Sequence, residues 1–452
     1  MLSKLAGQRA VPGPCDNKVQ CQERDRDGYD SVTESFEAAA LHSEKITRMQ
    51  AEIETSYAVL FRVPGFARVM AGTVLGRLAA QMWEIVLVLF VLQRYHSPAL
   101  AGVAVVFGLV PGLVLSPVAG SMLDRQGRVR LMVVDYSITA GLTAAISILA
   151  LLKALPFPLL LAIVTVLSLS NIFSATGARS LFPLMVPRHL WDRSNGIDTS
   201  SYSVTSIIGP AAAGLLIARF SPEVALLAMA ATMALAATSL VGVREPIAAA
   251  ASSRSLLADS LAGLAYVVKH RTLRGLAIAM FFTNLGVGPL VIGIPLLVIG
   301  RMHGGADTVG VVWAVFGLAG LIAGLLAGRA RTEGKERGLI AIFTAVQVPG
   351  LVLLAFATSL LQVLAVALLI GAASAVSLVA IFAIRQRRTE PAWFGRAFAV
   401  SMSLNMVGQP VGSGLSGPLF ERSIALPLLL GAAVTLAAVA AILLTIPKRG
   451  EV

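Results

Sequence analysis

The chain has 452 residues, of which 56% are hydrophobic and only 13% are charged, and its mean hydropathy is +0.81. Soluble domains carry about 25% charged residues, so this composition excludes an ordinary soluble protein and predicts many membrane-spanning segments. The formal net charge of +12 is typical of nucleic-acid binding as well. Here the basic residues lie in short loops between apolar segments, where membrane topology requires them, so we expect no nucleic-acid partner.

The N-terminal segment, residues 1–57, is polar and mixed in charge, and we expect a disordered cytoplasmic tail. It contains no apolar run typical of a secretory signal peptide, so membrane insertion should start at the first span. Cys15 and Cys21 lie in this tail at a spacing that suits zinc poorly. We interpret them as free thiols and expect no metal site.

Apolar stretches long enough to cross a bilayer as α-helices then follow in series. We predict twelve spans, at residues 67–92, 99–120, 132–152, 157–179, 197–219, 223–243, 273–299, 307–328, 338–356, 359–383, 397–420 and 425–446.

The longest polar connection, residues 244–272, is predicted to be a cytoplasmic central loop. It separates an N-terminal six-helix bundle at 58–243 from a C-terminal six-helix bundle at 273–447. The predicted fold class is therefore an all-α polytopic membrane protein with two six-helix bundles.

The distribution of Lys and Arg predicts the topology, because basic residues concentrate in cytoplasmic loops. Connections assigned to the cytoplasmic side include the basic runs at 125–130, 329–337 and 385–396. Connections assigned to the opposite side carry few basic residues, namely Arg94, Lys153, Arg219, Arg301 and Arg422. We therefore expect a multi-pass protein of the cell (inner) membrane, with both termini in the cytoplasm and lipid around it.

The two halves resemble each other in sequence. The segment 107–120 parallels 316–328, and both precede a charged loop. In the later spans, Gly196, Pro210 and Gly214 correspond to Gly395, Pro410 and Gly414. Chance similarity between Gly- and Ala-rich helices is the alternative for either match alone. Two pseudo-symmetric bundles would enclose a cavity near the middle of the membrane.

A charged segment connects the second and third predicted spans. It contains Gly120, Asp124, Arg125, Gly127 and Arg128. Gly120 lets two helices approach closely, and Asp124 can accept hydrogen bonds from arginines or from an exposed helix N-terminus. A functional role for these residues is one interpretation, and the alternative is an ordinary basic turn; the conformational lock is what the family resemblance given below implies for them.

Glu84 is the one acidic residue that falls well inside a predicted membrane core. A carboxylate at that depth is costly unless it faces a cavity or a partner, so it is a functional candidate. Arg77, Gln81 and Glu84 lie on one face of the first span. One interpretation is a structural ion pair between Arg77 and Glu84, bridged by Gln81. The other is a proton-coupling site formed by Glu84 and Arg77.

Four neutral polar residues also fall inside predicted spans: Asn171, Asn284, Asn405 and Gln409. Together with Gln81 they are candidate substrate-cavity residues. The alternative for each is a hydrogen bond between helices, which is a common use of such residues in membranes.

The fifth predicted span contains Gly209, Pro210 and Gly214. Pro210 removes a backbone donor and permits a kink, and the two glycines allow close helix contact. We interpret this segment as a helix-packing motif.

No motif for catalysis or cofactor binding remains after its context is considered. The segment 412–417 spells G-x-G-x-x-G, but it lies inside an apolar helix with no preceding strand. The histidines are scattered over the tail, loops and helix ends. We expect no enzymatic activity and no cofactor.

The pattern G-x-x-x-D-R-x-G-R-x-R that begins at Gly120 resembles the signature between helices 2 and 3 of the major facilitator superfamily. The segments 182–214 and 257–271 look like the drug:proton antiporter group, which includes macrolide and enterobactin exporters. The similarity covers about residues 60–447.

This resemblance implies alternating access, proton coupling and export of small amphipathic molecules such as drugs or siderophores by a monomer. It also implies that Asp124 locks the outward-facing state by engaging the end of helix 11. The G-P-x-x-x-G segment at Gly209 is similar to an antiporter motif thought to seal the protein against leak.

Two other functions remain open at this level. A proton-coupled uptake symporter for a small solute would use the same architecture. A substrate sensor on the same fold would bind a ligand without moving it.

Overall fold

The computed structural model describes residues 57–245, 256–329, 332–390 and 393–448, without the side chains of 117–121, 124, 192, 256–261, 394–400 and 402–404. The chain divides into two compact units, Met1–Arg62 and Val63–Val452. In the first unit the described residues contain a short helix, Tyr57–Leu60.

The second unit is built from twelve long helices. They are α1 Phe66–Tyr95, α2 Pro98–Gln126, α3 Arg128–Leu151, α4 Phe157–Met185, α5 Trp191–Arg219, α6 Pro222–Leu240, α7 Arg271–Arg301, α8 Ala306–Arg329, α9 Glu336–Ala355, α10 Leu360–Arg388, α11 Phe394–Phe420 and α12 Ala425–Thr445. Among the residues searched, eleven of these helices are long and apolar enough to cross a membrane, and α11 is the twelfth in the series. The predicted twelve-helix fold is confirmed.

Several helices extend beyond the predicted spans. The predicted loop between the second and third spans is wrong: α2 continues to Gln126, Gly127 alone forms the connection with φ of 92°, and α3 begins at Arg128. The hydropathy pattern stops at the first charged residue, whereas helical hydrogen bonding continues into the headgroup layer, where basic side chains reach water. Asp124 and Arg125 therefore belong to the last turns of α2.

The seventh helix is interrupted. Its α-helical segments are Arg271–Val287 and Leu290–Pro295, and a π-helical turn follows at Leu296–Arg301. Pro289 and Pro295 lack the amide donors that a continuous helix needs, which accounts for the irregular hydrogen bonding. The described part of the central connection contains a further helix, Leu256–Lys269, whose Tyr266 ring stacks on Trp393 at a centroid distance of 4.9 Å.

Helix packing repeats between the halves. In the first six helices α1 packs on α5 and α6, α2 packs on α4, and α3 packs on α4 and α6. In the last six, α7 packs on α11 and α12, α8 on α10, and α9 on α10 and α12. Each of these contacts in the first half has its counterpart six helices later, so the internal sequence repeat corresponds to two pseudo-symmetric six-helix bundles.

Two symmetry-related seams join the halves, one between α2 and α11 and the other between α5 and α8. Glycines set the distance at both. A Cβ on Gly102 would lie 2.9 Å from the Ser413 carbonyl oxygen, and a Cβ on Gly214 would lie 2.4 Å from the Ala306 carbonyl oxygen. The backbones touch there, which is how small residues stabilise helix pairs in membranes.

Gly214→Ala should destabilise the α5–α8 seam, because the added methyl group meets a backbone oxygen that cannot move aside. Overpacking of this kind costs about 1–3 kcal/mol. Gly141→Ala is the matched control, since a Cβ at Gly141 in α3 meets no atom within 4 Å. We expect a lower melting temperature in detergent for Gly214→Ala and an equal or higher one for the control. Equal melting temperatures for the two variants would contradict the close backbone contact between α5 and α8 at Gly214.

Candidate functional site

Glu84 lies in the middle of α1 and its side chain is exposed. The next seven residues, Ile85–Val91, are all buried and cover every side of the helix, so protein surrounds α1 at that level. The exposed Ala71, nearer the start of the helix, points about 140° away from Glu84 at 3.6 residues per turn. This pattern indicates that Glu84 faces a gap inside the bundle rather than its outer surface.

Arg77 pairs with Asp198 of α5. Its Nη2 atom lies 2.7 Å from Asp198 Oδ1. Its Nη1 atom donates to the Asp198 carbonyl oxygen at 2.8 Å and to the Ser201 hydroxyl at 2.7 Å. Asp198 Oδ1 accepts no hydrogen bond of good geometry, so the carboxylate neutralises the charge of Arg77. The Asp198 carbonyl oxygen and the Ser201 hydroxyl fix the orientation of the guanidinium group. Of the two interpretations of Arg77 and Glu84, the ion pair between them is therefore not formed.

Glu84 has no ion-pair or hydrogen-bond partner within the described part of the chain. The sequence pattern missed the true partner of Arg77 because it compared residues on one helix, and Asp198 lies on another. Arg77 and Glu84 share one side of α1, but only Arg77 is neutralised by protein.

Gln81 contacts α5 at Gly209. A Cβ on Gly209 would lie 2.5 Å from Gln81 Cβ, so only glycine fits beside this side chain. Four residues after Gly209, Ala213 is fully buried, and Gly214 packs against Gly310 of α8. The predicted helix-packing segment therefore contacts α1 through Gly209 and the other half through Gly214.

Asn284 and Asn405 bind each other. Asn284 Nδ2 donates to Asn405 Oδ1 at 2.6 Å and to the Asn405 carbonyl oxygen at 3.1 Å. Asn405 is buried, and the bond joins α7 to α11. The Gln409 backbone lies one turn further along the same contact, beside Gly288. This arrangement favours a helix-to-helix role for the asparagine pair.

Asn171 is exposed on α4, between the buried residues Ser170 and Ser174. Ala175 and Arg179 continue the exposed stripe one and two turns later, while Ala178 beside them is buried. The stripe therefore runs along a largely buried face of α4. This position makes Asn171 a candidate to line the same interior gap as Glu84.

At the start of α3, Arg128 and Glu245 form an ion pair of 3.1 Å. Glu245 also accepts from the Val129 amide at 3.2 Å, and Arg128 Nε donates to the Ser180 hydroxyl at 3.1 Å. Glu245 thus caps the N-terminus of α3, where a negative charge is favourable. Arg125 is exposed, whereas the surroundings of Gly120 and of the Asp124 side chain lie outside what the structure describes.

Besides Asp198, two further acidic residues hold neighbouring elements together. Asp135 is 1% exposed inside α3, and Glu245 holds the start of the same helix. The third span was predicted to begin at residue 132. The helix begins at Arg128, so Asp135 lies two turns inside it.

The chemistry that this arrangement allows is acid–base exchange. Glu84 is an exposed carboxylate without a fixed counter-charge among the described residues, so nothing described there opposes uptake of a proton. Within the described residues no group of three or more His, Cys, Asp or Glu side chains could hold a metal ion.

Comparison with known proteins agrees with the fold. A family model described as Major Facilitator Superfamily matches residues 69–345. An uncharacterized MFS-type transporter, y4rN, of Sinorhizobium fredii is 36% identical over 399 residues, covering 86% of this chain and 97% of that protein. Macrolide efflux protein A of Streptococcus pyogenes is 20% identical over 366 residues, covering 79% of this chain and 89% of that protein.

Two solved structures show the same fold at low sequence identity. The nucleoside transporter NupG gives a TM-score of 0.73 at 12% identity, covering 84% of this chain and 99% of that one. A D-xylose-proton symporter gives a TM-score of 0.64 at 14% identity, covering 88% and 100%. With its twelve helices in two matching bundles and this family match, the chain belongs to the Major Facilitator Superfamily of membrane transporters.

Proposed function

We propose that the chain exports small amphipathic molecules in exchange for protons, by alternating access. The observation that carries this proposal is Glu84, an exposed carboxylate on a stretch of α1 surrounded by protein. A charge in that position is costly unless it serves transport. The protonated and ionised forms of Glu84 would alternate as the gap opens to one side of the membrane and then to the other.

The similarity to macrolide efflux protein A supports the direction and the substrate class. We infer a cavity for drug-like amphipathic molecules, with Gln81 and Asn171 as polar contacts. Asn284, Asn405 and Gln409 would act at its wall, with the asparagine pair fixing α7 against α11.

The orientation follows from charge. We infer that the Gly127 turn and the other basic connections face the cytoplasm, with both termini on that side of the cell membrane. The transporter would act as a monomer, because each half supplies its own set of packed helices.

The test uses everted membrane vesicles from an efflux-deficient host that produces the full chain. A pH gradient is formed with lactate, and macrolides are added one at a time. An exporter with proton exchange dissipates the gradient when its substrate is added. A symporter would instead move substrate with the proton, and a sensor would bind substrate in detergent without any change in the gradient. Either of those results would replace the proposal.

Glu84→Gln should abolish gradient-driven export while substrate binding remains, because the amide keeps the size of the side chain but carries no proton. Folded yield should stay normal, since Arg77 retains Asp198. Glu84→Asp should keep partial coupling. Glu333→Gln, which changes an exposed carboxylate in the connection before α9, is the control. Normal export by Glu84→Gln would remove this residue from the mechanism.

Asp198→Asn should destabilise the protein strongly, because it leaves Arg77 without its counter-charge at a mostly buried position, with 14% of its side chain exposed. Removing one partner of a buried pair costs about 3–5 kcal/mol. The double variant Arg77→Gln with Asp198→Asn should recover most of the lost thermal stability. The melting temperature of each variant is measured in detergent. A double variant that melts no higher than Asp198→Asn alone would contradict the ion pair between Arg77 and Asp198.

Asp124→Asn should weaken the proposed lock at the cytoplasmic ends of the helices, because it keeps the size of the side chain but loses charge-assisted hydrogen bonds, worth about 1.5–3 kcal/mol each. Labelling of cysteine probes placed at that end should become faster, and export should fall. Unchanged labelling and unchanged export at equal expression would exclude the lock. Glu333→Gln again serves as the control.

A further inference from the structure

Asp135 is a buried carboxylate that the proposed transport cycle does not use. It lies on α3 with 1% of its surface exposed. Oδ1 accepts from the Ser170 hydroxyl at 2.7 Å and from the Thr139 hydroxyl at 3.2 Å, and Oδ2 accepts from the Ser174 amide at 3.0 Å. Within the described residues no basic side chain forms an ion pair with it.

The bond from Ser174 is unusual because its donor is a backbone amide in the middle of α4. Helix amides normally donate within their own helix, and a side chain that enters this pattern is a recognised cause of local bending. Both oxygens of Asp135 are therefore directed at α4, one to a side chain and the other to the backbone itself.

A second bond of the same type holds α4 from its other neighbour. The Gly112 amide of α2 donates to the Ser168 hydroxyl of α4 at 3.0 Å, directly after Pro111. A Cβ on Gly112 would lie 2.2 Å from the Ser168 carbonyl oxygen, so the two backbones touch. We call Gly112, Asp135, Ser168, Ser170 and Ser174 the polar clamp.

The polar clamp encloses one exposed residue, Asn171. It follows Ser170 directly, and its carbonyl oxygen accepts from the Ser174 hydroxyl at 3.2 Å. The exposed Asn171 side chain thus stands on a stretch of helix that is held on two sides by bonds to α2 and α3. A rotation of α4 about its axis would carry Asn171 away from the gap, and the clamp opposes that rotation.

We propose that Asp135 is a positioning residue that sets the orientation of Asn171 toward the substrate and thereby the apparent affinity for it. This inference rests on the proposed function in one respect only, namely that Asn171 contacts the exported molecule. Asp135 itself touches no substrate, because it is buried between α3 and α4.

Asp135 performs this role through the geometry of its hydrogen bonds and not through its negative charge. An asparagine at position 135 can still accept from the Ser174 amide through its oxygen. Its NH₂ group can donate to the Ser170 hydroxyl, which turns and becomes the acceptor. Asp135→Asn therefore preserves both cross-helix bonds, whereas Asp135→Ala removes both.

The experiment measures the position of residue 171 and transport separately. The chain has two cysteines, Cys15 and Cys21, and both are replaced by serine. Asn171→Cys is labelled with a water-soluble maleimide in membranes, with and without changes at Asp135. Arg179→Cys, on the same exposed stripe but outside the polar clamp, is the matched control. Apparent KM and maximal rate of macrolide export are measured for the same changes at Asp135 with Asn171 intact.

Asp135→Ala should slow labelling of the Asn171→Cys thiol by about tenfold, equivalent to ~1.4 kcal/mol, while labelling of the Arg179→Cys thiol stays unchanged. The apparent KM for export should rise several-fold with little change in maximal rate. Asp135→Asn should match the parent protein in labelling and in KM. If Asp135→Ala does not accumulate in membranes, Ser170→Ala, which removes one of the two cross-helix donors, should give a smaller shift in the same direction.

Three outcomes overturn the inference. In the first, labelling of the Asn171→Cys thiol is unchanged by Asp135→Ala or, in its place, by Ser170→Ala. In the second, Asp135→Asn loses proton-driven export while labelling is normal, which would make Asp135 a proton carrier. In the third, labelling of both thiols changes together, which would indicate general loosening of α4. Failure of the proposed function is distinguishable, because labelling then shifts as expected while the parent protein exports no macrolide.

Discussion

The constraint on which the whole structure depends is that a polar group at membrane depth needs a partner in the protein or access to water. Most polar groups here satisfy it with partners on neighbouring helices. Arg77 has Asp198, Asn284 has Asn405, and Asp135 has the serines of α4. Glu84 satisfies it differently, because its side chain is exposed and its section of α1 is otherwise enclosed. Of these four described residues, Glu84 alone has no hydrogen-bond or ion-pair partner, and its proposed role in proton exchange rests on that difference.

The second constraint is the close approach of the two halves. Gly214 and Gly414, which correspond in the internal repeat, lie at equivalent seams: Gly214 against Gly310, and Gly414 beside Gly102. At these glycines the two halves meet through backbone packing. Ser97, which donates to Glu421 at 2.8 Å across the α2–α11 seam, is an exception at the exposed end.

Much of the fold could be predicted from the sequence, because twelve apolar runs and an internal repeat leave little choice of architecture. The predicted end of the second span was wrong, since hydropathy detects the bilayer and not the helix, and α2 continues through Asp124 to Gln126. The candidate site was predictable only in part. Glu84 stood out by its depth, but the partner of Arg77 did not, because pairing across helices depends on how they pack. Asn405 looked like a cavity residue by composition and is buried against Asn284.

Among the described residues, the glycine contacts of the two seams concentrate toward one end of the helices. The glycine contacts of α2 with α11 and of α5 with α8 involve Gly102, Gly414, Gly214 and Gly310, all near the ends of their helices that lie away from the basic connections. The exposed stripe from Asn171 to Arg179 runs toward the opposite, basic end. Under the proposed function, a proton on Glu84 would exchange with the basic side. For the same carboxylate to serve the other side, both seams must open together, and their symmetry allows one rocking motion to do this.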